Sequence, residues 1–197
     1  MLIIAPTQRL RRAPGWSAAD ELGYINSSVD ELAGLHLQLT VILFRYRYFS
    51  HVSRFAHQVP GKDATFVVES EKSPTAGAAD ATVIEFHDET GNVPLHVSLR
   101  PRANHIAINS KKHDKQWNWN KQRLISFNDN FPSSKPLQLK VTDNGLSFRL
   151  DFSEGNGVKY DKNPDLGDSK VSKVAYYVPD KGHSVLSEGA KLTVTLP

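Results

Sequence analysis

The sequence predicts an all-β chain, an antiparallel β-sandwich or barrel. Three observations carry that expectation. From residue 45 on, the chain divides into about ten short runs rich in Val, Ile, Thr, Phe and Tyr. Apolar and polar residues alternate inside them, as at Leu137, Leu139 and Val141, at Phe148, Leu150 and Phe152, and at Leu192, Val194 and Leu196. A period of two sends one side-chain set to a core and leaves the other wet, as antiparallel sheets allow. Turn chemistry separates the runs at Asp88-Glu89-Thr90-Gly91-Asn92, Asp143-Asn144-Gly145 and Glu154-Gly155-Asn156-Gly157.

Taken in order, residues 1–16 carry prolines and arginines without periodicity and read as a flexible basic end. Ser17–Leu35 has the pattern of a short helix. Ser17 is a cap, Asp20 and Glu21 lie in the first turn, and Leu22, Ile25, Val29 and Leu32 recur at helical spacing. Leu35–Tyr48 is apolar and β-prone and starts the sheet. The strands expected beyond it are Ala64–Glu69, Ala81–His87, Pro94–Arg100, His105–Ser110, Arg123–Phe127, Leu137–Thr142, Leu146–Phe152, Val158–Tyr160, Val171–Val178 and Lys191–Leu196. Residues 1–44 thus form an N-terminal extension and residues 45–197 the folded domain.

Composition narrows the chemistry. The 197 residues include no cysteine, which removes disulfides, thiolate metal sites and cysteine nucleophiles. The histidines lack the spacing and partners of a metal site, so neither metal nor cofactor is expected. A formal charge of +3 does not by itself demand a nucleic acid or membrane partner. No run reaches the ~18 apolar residues of a membrane-spanning helix, and Met1–Pro6 is too short for a signal-peptide core. A cytoplasmic start is the expectation. No phosphate loop, dinucleotide fingerprint, HExxH motif or nucleophile elbow occurs.

The stretch around Leu95–Asn109 is the most suggestive. Leu95, Val97 and Leu99 alternate with His96, Ser98 and Arg100. A hairpin with the next run sends Ile106 and Ile108 inward and places Asn109 beside the polar row. Imidazole, hydroxyl, guanidinium and amide on one open face suit the hydroxyls of a sugar. Glycoside hydrolysis needs two facing carboxylates, and only Asp114 lies close in sequence, so no enzyme is expected. The alternative is a β-barrel for single-stranded nucleic acid. It would use residues 111–123, where Lys111, Lys112, Lys115, Lys121 and Arg123 interleave with Trp117 and Trp119.

The order His96-Val97-Ser98-Leu99-Arg100, Asn109-Ser110, then tryptophans and Gln122-Arg123, resembles the carbohydrate-recognition motif of galectins. Ser98, where animal members carry Asn, is similar to fungal members. The resemblance runs from Arg45 to Pro197 and includes VTDNGLSFRLDF and VAYYV. It implies a galectin-like jelly-roll sandwich and a lectin of the β-galactoside type. His96 and Arg100 would meet the axial 4-hydroxyl, Arg100 also the ring oxygen, and Asn109 the 6-hydroxyl. A tryptophan, Trp117 ahead of Trp119, would stack on the pyranose. It also implies a protein made in the cytosol and exported without a signal peptide.

One segment departs from the family pattern W-x-x-E-x-R. Anchoring on Arg123 puts Lys121 at the acid, and anchoring on Trp117 puts Asn120 there. Either way the carboxylate is missing, while Lys111, Lys112 and Lys115 stand near. The expected ligands are therefore glycans altered from neutral galactosides toward N-acetylated, sulfated or otherwise acidic forms. Single shallow sites bind at roughly millimolar to micromolar strength, so a homo-oligomer is expected to raise avidity.

Overall fold

The computed structural model describes residues 38–43, 51–54, 63–71, 81–117, 119–153, 157–167, 169–177, 184–186 and 190–195. The helix expected at Ser17–Leu35 and the flexible end at 1–16 lie outside them. The strands are β1 (Gln38–Leu43), β2 (His51–Arg54), β3 (Thr65–Glu69), β4 (Thr82–His87), β5 (Val93–Arg100) and β6 (His105–Lys111). Then come β7 (Arg123–Ser126), β8 (Gln138–Asp143), β9 (Ser147–Phe152), β10 (Val158–Asp161), β11 (Lys173–Tyr177) and β12 (Ala190–Thr195).

These strands form two antiparallel six-stranded sheets, ordered β1-β12-β3-β8-β9-β10 and β2-β11-β4-β5-β6-β7. The all-β sandwich is the architecture that the alternation implies. β1 pairs along β12 although it precedes the division at residue 45, so the sheet already begins within 1–44. Its six residues belong to the β-prone run Leu35–Tyr48.

Alternating apolar residues of the two sheets meet in one core. Phe66, Leu139, Val141, Phe148 and Leu150 come from one side and Ile84, Phe86, Leu95, Val97, Ile106 and Ile108 from the other. Phe66 and Phe86 touch edge to face across the gap, with ring centroids 5.2 Å apart. The turns behave as their residues require. At the β8–β9 turn Gly145 takes φ +83, and Asp143 Oδ1 accepts from its N–H at 2.8 Å. Between β5 and β6, Pro101–Ala103 forms a 3-10 turn closed by Asn104 in the left-handed region at φ 52. The strand expected at Arg123–Phe127 ends one residue early, because Ser126 caps a helical turn, α1 (Phe127–Asn130).

Candidate functional site

The second sheet turns its outer face into a shallow open cleft of about 180 Å³. Strand register decides which side chains reach it. On the outer face one cross-strand row runs Tyr177, Val83, Ser98, Ala107 and Leu124. The next row runs Ala175, Glu85, His96 and Asn109. The opposite, core-facing row holds Tyr176, Ile84, Val97, Ile108 and Arg123.

His96, Ser98, Arg100 and Asn109 therefore share a face, as the hairpin reading expects, and all four line the cleft. They are its floor and not an exposed row: His96 is 9% exposed, and Ser98 and Asn109 are each 1% exposed. Neighbouring strands on both sides and the segment after β6 cover them. Arg100 Nε donates to Ser98 Oγ at 3.1 Å, which orients the guanidinium at the end of β5. Asn109 Oδ1 accepts from the Ser110 N–H at 2.9 Å.

The connection from β6 to β7 forms the rim. His113 N–H bonds Asn92 Oδ1 at 2.8 Å, tying the connection to the β4–β5 turn. Trp117 then leans on His96, with ring centroids 4.5 Å apart. Lys111 Nζ sits 5.0 Å from the Trp117 ring centre, a cation–π contact. Trp119, 62% exposed, stands 6.5 Å from Trp117. Both tryptophans line the cleft.

Two expected site residues are placed elsewhere. Arg123 lies on the core-facing row at the sheet edge, where its Nη1 donates to the Lys159 carbonyl of β10 at 2.7 Å. It ties the two sheets together. Lys121 closes the 3-10 turn Trp119–Lys121, exposed and away from the cleft lining. The residue between them enters the cleft instead. Continuing the β6–β7 register by one step puts Gln122 beside Asn109, and its Nε2 is buried with no hydrogen-bond partner among the described residues. Gln122 could have been found by counting three residues on from Trp119 instead of from Trp117.

A carboxylate does lie beside the site, on β4. Glu85 Oε1 accepts from His96 Nδ1 at 2.9 Å and from the Tyr177 hydroxyl at 2.9 Å, and Glu85 Oε2 meets His87 Nε2 at 3.0 Å. Burial alone would raise its pKa. The three hydrogen bonds and attraction to His96 outweigh burial and hold the carboxyl well below the usual range. The Tyr177 hydroxyl moves up, through burial and then through the Glu85 charge, so it stays a donor. Its place in TVIEFH sets Glu85 on the face opposite Ile84 and Phe86, but only the β4–β5 pairing brings it to His96.

The comparisons with known proteins bear on the fold and on part of the sequence. No family model matches the chain. A fungal galectin-2 from Coprinopsis cinerea is 32% identical over 81 residues, 41% of this chain and 52% of that protein, so the match spans about half of the relative's length. Among solved structures, a tetrameric galectin from the ball sponge Cinachyrella superposes with TM-score 0.53 at 20% identity, covering 73% of this chain and 94% of that one. A Caenorhabditis elegans galectin, LEC-6, reaches TM-score 0.52 at 11% identity, covering 89% and 98%. A toad ovary galectin, solved with thio-digalactose, reaches TM-score 0.52 at 12% identity, covering 73% and 97%. The chain thus shares the galectin β-sandwich fold and is similar in sequence, over those 81 residues, to a fungal galectin.

Proposed function

We propose that the chain is a lectin that binds glycans reversibly, without turnover, in the cleft above His96, Ser98, Arg100 and Asn109. The observation that carries the reading is the convergence of these four polar side chains on a cleft floor walled by Trp117 and Trp119. Such a floor supplies donors and acceptors for hydroxyls, and the indoles supply an apolar platform for a pyranose. The toad galectin with thio-digalactose in its structure supports a galactoside as the core ligand.

The specificity is altered from neutral galactosides. At the acid position of the family motif, counted from Trp119, stands Gln122, and at the arginine position stands Leu124. A carboxylate only accepts hydrogen bonds, whereas the Gln122 amide also donates, through a buried Nε2 without a partner among the described residues. A ligand acceptor there, such as an acetamido carbonyl or a sulfate oxygen, satisfies that donor. Lys111 adds positive charge at the same rim. A glycan array tests the reading, with Arg100→Ala as the control. N-acetylated or acidic galactosides should give the strongest signals, and the control should give none. Neutral lactose-type glycans outranking every N-acetylated and acidic one would refute the altered specificity.

We also propose homo-oligomerisation, which multiplies weak sites into useful avidity. A monomer by light scattering at working concentration would count against it.

A further inference from the structure

Glu85 is a buried carboxylate that takes no direct part in the proposed sugar contacts, yet it touches the residue central to them. We infer that Glu85 is a positioning residue: it fixes His96 in the tautomer with its proton on Nδ1, so that Nε2 faces the ligand as an acceptor. The inference rests on the proposed sugar site for its purpose, though not for its geometry.

An ionised carboxylate can only accept, so the 2.9 Å contact from His96 Nδ1 to Glu85 Oε1 requires a proton on Nδ1. In the neutral imidazole the other nitrogen then carries a lone pair. Nδ1 is committed to Glu85, and Nε2 is the ring nitrogen that remains for the cleft. The carboxylate is itself locked. His87 Nε2 holds Oε2 at 3.0 Å, and the Tyr177 hydroxyl shares Oε1 at 2.9 Å. The backbone adds register, because Glu85 and His96 are direct cross-strand partners on β4 and β5. Trp117 packs against the same imidazole at 4.5 Å and restricts its rotation.

The consequence is chemical. An imidazole with Nε2 as acceptor receives a proton from a sugar hydroxyl. The guanidinium of Arg100 can only donate. One hydroxyl between them is thereby read as donor to His96 and acceptor from Arg100. An ether oxygen at the same place fails one half of that test, and a deoxy carbon fails both.

Nitrogen NMR of the imidazoles in the full-length protein, at about pH 8 where ordinary imidazole is neutral, reads the tautomer directly. Wild-type His96 should show a protonated Nδ1 and an unprotonated Nε2. Glu85→Ala should move the proton toward Nε2 and weaken galactoside binding about tenfold, the size expected for losing one well-oriented hydrogen bond to the ligand. Glu85→Asp, with the carboxylate kept, should restore part of both. His87→Ala, which cuts one of the two other Glu85 contacts, should leave the His96 tautomer in place and serves as the control for a change in the sheet there. Wild-type His96 carrying its proton on Nε2 overturns the inference whether or not a glycan binds. A normal Nδ1–H signal in a protein that binds no glycan would instead refute the proposed function and leave the tautomer assignment standing.

Discussion

The β5–β6 hairpin and the connection that follows it contribute to one cleft by different physics. The hairpin holds His96, Ser98, Arg100 and Asn109 through ladder register, so each side chain's face follows from the parity of its number. The connection reaches β7 through the 3-10 turn Trp119–Lys121, where parity carries no such meaning. Counting along a motif works on the first region and slips on the second. On the proposed reading, the hairpin supplies a sugar-type floor and the connection alters what the rim asks of a ligand.

The largest expected effect comes from the hairpin. If Arg100 meets the ligand as proposed, Arg100→Ala should remove two charge-assisted hydrogen bonds, about 3 kcal/mol together, which is about a hundredfold loss of affinity. Its melting temperature should stay near wild type, since Arg100 bonds only Ser98 within the sheet among the described contacts. Titration calorimetry and a thermal melt on the same sample check both halves.

Next is the rim. Gln122→Glu restores an acceptor-only carboxylate beside Asn109. One gained hydrogen bond of about 1.4 kcal/mol should raise affinity for neutral lactose about tenfold and weaken sulfated ligands by repulsion. Equal changes for both ligands would show that position 122 does not read charge.

Behind the hairpin, Glu85 predicts a pH signature. Its pKa is lower in the fold than in the unfolded chain, so its charge stabilises the protein above the ordinary carboxylate range, and that contribution fades as pH falls. The melting-temperature deficit of Glu85→Gln should be largest above about pH 5 and shrink toward about pH 3.

Smaller effects separate the two tryptophans and then the two faces of β7. Trp117→Ala should cost about fivefold in affinity, about 1 kcal/mol of stacking, and exposed Trp119 less. The reverse order, measured by the same titrations, would move the sugar platform to Trp119. Arg123→Ala should change affinity by less than about twofold and lower stability by about 1 kcal/mol, because its hydrogen bond ties β7 to β10. A large binding defect would return Arg123 to the cleft.

Legibility in the sequence follows the same division. The sandwich was readable because alternation and turn residues repeat across many short runs, and β3 to β12 fall within a few residues of the runs that show them. The hairpin residues were readable because a strand has only two faces. Glu85 was not, since it stands eleven residues before His96 and meets it only through β4–β5 pairing, a tertiary fact. Arg123 was misplaced because the motif counts residues, while the β6–β7 ladder sets it opposite Ile108 on the core side. The burial of the polar row was hidden for a related reason: covering elements arrive from distant parts of the chain.

The central claim is that a sugar-type floor is joined to a rim that demands an acceptor from its ligand. Calorimetric titration of wild type and Gln122→Glu with lactose and with sulfated lactose tests it most directly. The account predicts that wild type prefers the sulfated sugar and that Gln122→Glu prefers lactose. A wild type that prefers lactose, or a variant whose preference does not move, would contradict it.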